Sequence, residues 1–164
     1  MTARPEPKKR KVEVALKVIA GTDTPLVAML DGWAAVATAD QGVKECRGRL
    51  DRVRATGAPK HEVNYGVFVD GQFVGGIHTS GEHLNVMWIH WDHTQKGVGS
   101  RAVFAVLSTQ IKKYKTAIVN QPNKKMCKAL VKIMSPRRGS GVICKDGIDR
   151  MTLVPGDLRR PSPP

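Results

Sequence analysis

Acid is what this chain has least of. Fourteen Asp and Glu stand against 27 Lys and Arg, a formal net charge of +13. From Lys112 to Arg138 there are nine basic residues and no acidic one. A block of one sign suits phosphates or another polyanion. Cysteine is also sparse, at positions 46, 127 and 144, an odd number without C-x-x-C spacing. That argues against a disulfide framework and a zinc knuckle, and fits a reducing, cytoplasmic compartment. No long apolar run is present, which argues against a membrane span. The basic N-terminus has no apolar stretch behind it, so a secretory signal is not expected. Two phosphate loops are missing as well: there is no Gly-x-x-x-x-Gly-Lys-Ser/Thr, and no third glycine for a dinucleotide fingerprint.

What is there is one domain's worth of chain, 164 residues with 41% hydrophobic content, enough to bury a core. Residues 1–13 read as a basic flexible arm, 14–155 as the domain and 156–164 as a Pro/Arg-rich tail. Pro7-Lys8-Lys9-Arg10-Lys11-Val12 matches a viral nuclear-localisation peptide letter for letter. It reads either as an import signal or as a plain basic arm, so nuclear import or a virion location stands beside the cytoplasmic one.

The first strand is expected at Val14–Ile19. Helical patterns follow through Leu26, Met29, Leu30, Trp33 and Val36, and from Val43 to Ala55. Val63, Tyr65, Val67 and Val69 alternate on a strand, Asp70-Gly71 turns, and Phe73–Thr79 returns. Ser80-Gly81-Glu82-His83 is a second turn. A strand from Leu84 to Trp91 leads through Asp92–Lys96 into a helix opened by Gly97 and Gly99. That helix carries Val103, Val106, Leu107, Ile111 and Tyr114 on one face. Thr116–Val119 is a short strand, and a helix after Pro122 places Met126, Ala129, Leu130 and Ile133 at core spacing. Val142–Cys144 and Met151–Val154 read as a final hairpin. The expectation is an α/β (α+β) domain: a mixed, mostly antiparallel sheet of about seven strands with four helices.

Strand, glycine turn and helix N-terminus make an anion site, because orphan backbone N–H groups and the positive end of the macrodipole converge there. The string Met87-Trp88-Ile89-His90-Trp91-Asp92-His93-Thr94-Gln95-Lys96-Gly97-Val98-Gly99 resembles the acyl-CoA-binding segment of the GCN5-related N-acetyltransferase (GNAT) family, Arg/Gln-x-x-Gly-x-Gly/Ala. Thr94 takes the Arg/Gln position, which loses one side-chain contact and keeps the backbone cradle. Asn123-Lys124-Lys125-Met126-Cys127-Lys128-Ala129-Leu130 is similar to the family's second motif, with Leu130 where the family commonly has tyrosine. In the family that tyrosine often protonates the departing thiolate.

The resemblance implies transfer of an acetyl group from acetyl-CoA, or another acyl-CoA, to a primary amine of unknown identity. It implies cofactor contacts from Ile89, Thr94, Gln95, Lys96, Gly97, Val98, Gly99, Ser100, Arg101 and Asn123. It also implies that the strand carrying Ile89 splays from its neighbour. Glu82 and His83 are its candidates for the proton-accepting role, with His78, His90 and Asp92 further options. No metal is expected, because His90 to His93 match no zinc spacing and adjacent strand residues point to opposite faces. Cys127 reads as a buried small residue rather than a nucleophile. Lys124, Lys125, Lys128 and Lys132 form one helical stripe, a candidate contact for non-specific nucleic acid or another polyanion. The competing reading, favoured by Thr94 and Leu130, is a catalytically silent subunit of a nucleoprotein or virus particle, with both tails held in a large assembly.

Overall fold

The computed structural model describes residues 13–18, 61–89, 97–120, 122, 124–136 and 150–161. The Asp70-Gly71 pair sets its first hairpin. Both residues take positive φ, 48° and 83°, the mirror-image turn whose twist suits two antiparallel strands. It joins β2 (Glu62–Val69) to β3 (Gln72–Ser80). β1 (Val14–Val18) pairs with β2 and is tied to the same turn. The Asp70 N–H donates to Glu13 O at 3.0 Å, and the Glu13 N–H donates to Asp70 Oδ1 at 3.2 Å.

From β3 the chain turns at Gly81 and Glu82 into β4 (His83–Ile89), then α1 (Val98–Tyr114), β5 (Ala117–Asn120), α2 (Lys124–Ile133) and β6 (Arg150–Leu153). The six strands form one sheet in chain order, antiparallel throughout except where β4 meets β5. This is the mixed, mostly antiparallel architecture expected. Six strands and two helices fall among the described residues. Both helical patterns between Leu26 and Ala55, the strand Val142–Cys144 and the arm at residues 1–12 lie outside them.

One face of the sheet carries the core. Side chains alternate along a strand, so Val67, Ile77, Leu84 and Val119 all face the two helices. α1 returns Val98, Ala102, Val103, Val106 and Leu107, and α2 returns Met126, Ala129, Leu130 and Ile133. Leu107, Leu130 and Ile133 are fully buried, each contributing about 1.5–3 kcal/mol on removal from water. Cys127 is buried too, with its Sγ 3.9 Å from the Pro122 carbonyl.

Part of the segment read as a Pro/Arg tail is docked. Met134 bridges to Leu158, the Arg159 N–H donates to Ile133 O at 2.6 Å and the Ser135 N–H donates to Asp157 O at 2.8 Å. The Ile133 carbonyl is one of those a helix C-terminus leaves without an internal partner.

Candidate active site

Two features of β4 shape the site. The first is its brief pairing with β5, confined to His83 opposite Ile118 and Leu84 opposite Val119. Past Leu84, β4 continues to Ile89 against β3, while β5 continues to Asn120 against β6. From Asn85 to Ile89 the β5-facing edge of β4 has no strand partner among the described residues. Backbone N–H and C=O groups on such an edge demand a partner. β5 ends at Asn120, one residue past the last pair, so β4 runs on beyond it and a notch opens beside β4, with its vertex at Leu84.

The second feature is a bulge. Thr79 lies opposite Leu84 and His78 opposite Val86, so Asn85 is an extra residue on β4. A bulge re-aims the side chain it carries. Leu84 stays in the core while Asn85 turns to the opposite face, beside the vertex. There the Asn120 Nδ2 donates to Asn85 Oδ1 at 2.8 Å and lies 3.1 Å from His83 Nδ1. The Asn85 Nδ2 lies 3.3 Å from His78 Nδ1. His78 is fully buried, and its Nε2 faces Glu62 Oε2 at 3.7 Å. His83 is half-buried, with Nε2 3.9 Å from Glu82 Oε1. Strands β2 to β5 thus contribute to one continuous polar row.

α1 begins where β4 ends. Gly97 is its N-cap, at φ 70° and ψ 8°, a left-handed conformation suited to glycine. No side chain caps the helix, and its first turn holds no acid. The Ser100 hydroxyl donates to Gly97 O at 3.0 Å, and the Arg101 N–H reaches the same carbonyl at 3.3 Å. The sequence placed Gly97 and Gly99 at the opening of this helix; Gly97 is its N-cap and Gly99 stands in its first turn. A Cβ there would meet Met87 Cε at 3.6 Å and Ile89 Cγ1 at 4.0 Å, so this glycine marks where the helix packs against β4.

Of the sequence candidates, Glu82 and His83 lie at the vertex. Ile89 ends β4, and Gly97, Val98, Gly99, Ser100 and Arg101 form the first turn of α1. Thr94, Gln95, Lys96, Asn123, His90 and Asp92 lie outside the described residues, as do the side chains of Lys124 and Lys125. Lys128 and Lys132 are exposed on α2, away from the vertex. Sequence reasoning missed Glu62, Asn85 and Asn120. The available signal was a polar residue inside an apolar strand (Leu84-Asn85-Val86) and another ending one (Val119-Asn120).

No protein-family model matches the chain, nor does any curated protein. Solved structures do. A probable acetyltransferase superposes with a TM-score of 0.54 at 12% identity, covering 86% of this chain and 92% of that one. The Campylobacter jejuni N-acetyltransferase PseH in complex with acetyl coenzyme A gives 0.54 at 15% identity, covering 87% and 99%. The Salmonella typhimurium acetyl transferase that modifies the N-terminal serine of ribosomal protein L7/L12 gives 0.51 at 11%, covering 82% of each chain. The fold is that of the GCN5-related N-acetyltransferases. At 11–15% identity it is the fold that is shared.

Proposed function

We propose that the protein is an acyl-CoA-dependent N-acyltransferase that uses acetyl-CoA to acetylate a primary amine. The observation that carries this reading is the coincidence of two unfilled binding elements on one strand. Among the described residues, β4 has an edge without a strand partner from Asn85 to Ile89, and a helix N-terminus with no side-chain cap and no acid in its first turn stands beyond its end. The edge suits an extended chain containing amides, because such a chain completes the ladder as a strand would. The helix N-terminus suits a pyrophosphate. CoA joins those two chemistries in one molecule.

Met87 and Ile89 would line the arm, and the first-turn N–H groups from Val98 to Arg101 would meet the phosphates. Bound acetyl-CoA supplies the activated carbonyl. An amine must shed a proton to attack it, and His83, at the vertex with Glu82 beside it, is the residue assigned to take that proton. The two carboxylates of the row, Glu62 and Glu82, favour a cationic amine over a neutral acceptor.

The test is calorimetric titration with acetyl-CoA on the wild type and on Gly99→Asp. An acid in the first turn stabilises a helix by about 0.3–1 kcal/mol but repels a phosphate. The variant, whose new side chain must sit beside Met87 and Ile89, should still melt in one cooperative transition, yet bind at least about tenfold more weakly, a difference of roughly 1.4 kcal/mol. Absence of heat and of thermal shift in the wild type sinks the cofactor assignment. With binding established, His83→Gln should lower acetyl transfer across an amine panel by about 10²–10⁴-fold at unchanged acetyl-CoA affinity.

A further inference from the structure

The polar row at the vertex allows only two settings of its protons. Asn120 uses one nitrogen toward both His83 Nδ1 and Asn85 Oδ1, and Asn85 in turn offers its nitrogen to His78 Nδ1. In this setting each imidazole accepts at Nδ1 and, when neutral, carries its hydrogen on Nε2. For His78 that nitrogen lies 3.7 Å from the Glu62 carboxylate, and for His83 3.9 Å from Glu82, beyond hydrogen-bond range but within Coulombic reach. A neutral His83 so arranged is a poor proton acceptor, since Nε2 already holds a hydrogen and Nδ1 is engaged by Asn120.

The alternative setting turns both amides over. Asn120 then presents its oxygen to His83 and Asn85, so Asn85 must present nitrogen to Asn120 and oxygen to His78. Both imidazoles then need a hydrogen on Nδ1. A neutral His78 in that setting would aim its Nε2 lone pair at the Glu62 carboxylate, two acceptors face to face. A second proton on His78 removes the conflict and makes an imidazolium–carboxylate pair. A buried half-satisfied row is costly, so the amides turn together or not at all.

We propose that Asn85 and Asn120 are positioning residues forming a reversible relay, through which proton uptake by the His78–Glu62 pair switches His83 from its Nε2–H to its Nδ1–H tautomer. The switch leaves the Nε2 lone pair of His83 at the vertex, where both His83 and Glu82 reach solvent and water can stand between the lone pair and the carboxylate, as it cannot beside the fully buried His78. One proton is gained at His78 Nε2. The hydrogen on His83 moves from Nε2 to Nδ1 by exchange with solvent, and no other group changes charge. Among the described residues, the charged or titratable groups facing the row include Glu62 from β2, His78 from β3, His83 from β4 with Glu82 in the turn before it, and the exposed Arg150 opposite Asn120 on β6. The use of His83 as a base rests on the acetyl-transfer reading; the relay itself does not.

The experiment is long-range ¹H–¹⁵N correlation of the histidine rings of the full chain across a pH titration, with no cofactor present. The wild type should show His83 as the Nε2–H tautomer at high pH, and switching to Nδ1–H in the same step that charges His78. Glu62→Gln is the decisive variant. A glutamine can either donate to or accept from His78 Nε2, so neither setting is penalised, and at high pH His83 should populate both tautomers rather than Nε2–H alone. Glu62 is partly exposed at the start of β2, so this exchange spares the core. Asn85→Ala should break the relay and leave the two rings titrating independently. A His83 tautomer that ignores the charging of His78, or that is the same in Glu62→Gln and wild type at high pH, overturns the proposal. Failure to bind acetyl-CoA would overturn only the acetyl-transfer reading.

Discussion

The two faces of the sheet are built on opposite principles, although they alternate residue by residue along the same strands. Ile77 enters the apolar cluster and His78 the polar row; Leu84 enters the cluster and its neighbours His83 and Asn85 the row; Val119 enters the cluster and Asn120 the row. The helix-covered face gains from non-directional burial, which tolerates small shifts. The other face depends on directed contacts of fixed donor and acceptor sense, in which one wrong partner leaves a buried group unsatisfied. A fold that needs a rigid base for its chemistry and a sensitive place to do it can obtain both by placing them back to back. The bulge at Asn85 shapes this arrangement, because the extra residue lets Leu84 and Met87, three residues apart, stand opposite Thr79 and Ile77 on the same face of the sheet.

The largest expected effect breaks the apolar side. Leu107 is fully buried between α1 and the sheet, and Leu107→Ala should cost about 2–5 kcal/mol, read by urea unfolding. The loss should be the same at pH 6 and pH 8, because nothing in that cluster near Leu107 titrates in this range. A loss under about 1 kcal/mol, smaller than a cavity requires, would mean that the cluster is not the main support of the sheet.

Much of this division was open to inspection beforehand. Asp70-Gly71 announced the hairpin, because few residue pairs accept its two positive φ values. The core faces of both helices were legible from spacing: Val103, Val106, Leu107, Met126, Ala129, Leu130 and Ile133 are all buried. Glu82 and His83 were singled out only through the family's arrangement of strands, and His83 lies beside Asn120 at the vertex. Asn85 and Asn120 escaped notice for a physical reason. Their partners lie 35 residues apart in the chain, and the bulge that aims Asn85 arises from its register with β3, which no local pattern encodes. The separate roles of Gly97 and Gly99 at the helix opening were not legible, because a glycine beside a strand and one at positive φ look alike in sequence.

The next effect in size breaks the polar side. Asn120→Ala removes the donor shared by His83 and Asn85, and should cost about 1–3 kcal/mol. Unlike the core variant, its penalty should vary between pH 6 and pH 8, because the settings it abolishes differ by a proton. A penalty constant across that range would show the row to be ordinary packing.

A smaller effect, of opposite sign, sharpens the comparison from outside both faces. Lys128 and Lys132 are exposed at i and i+4 on α2. Lys128→Glu exchanges a repulsion for an attraction in the favourable order, and should stabilise by about 0.2–0.5 kcal/mol, measured by thermal melting at low salt. The same change should weaken retention on a polyanion column if the lysine stripe is a contact surface. Unaltered retention would place any such contact elsewhere.

The smallest effect belongs to the one titratable side chain of the apolar side with a resolved shift. Tyr65 packs against the cluster, and burial raises its phenol above the ordinary value of 10.0, with nearby Lys113 pulling it down and Tyr114 pushing it up. Because the folded value exceeds the unfolded one, the native state holds this proton more tightly. The associated stability is complete below pH 10 and is lost as the pH climbs from there through the raised value. Wild type should therefore unfold more readily with each step in alkali beyond pH 10, and Tyr65→Phe should flatten part of that slope while leaving stability at pH 8 within about 1 kcal/mol. Identical alkaline slopes in the two proteins would mean that the Tyr65 hydroxyl meets solvent freely. The apolar side would then resist charge less than its burial implies, and the contrast between the two faces would be correspondingly weaker.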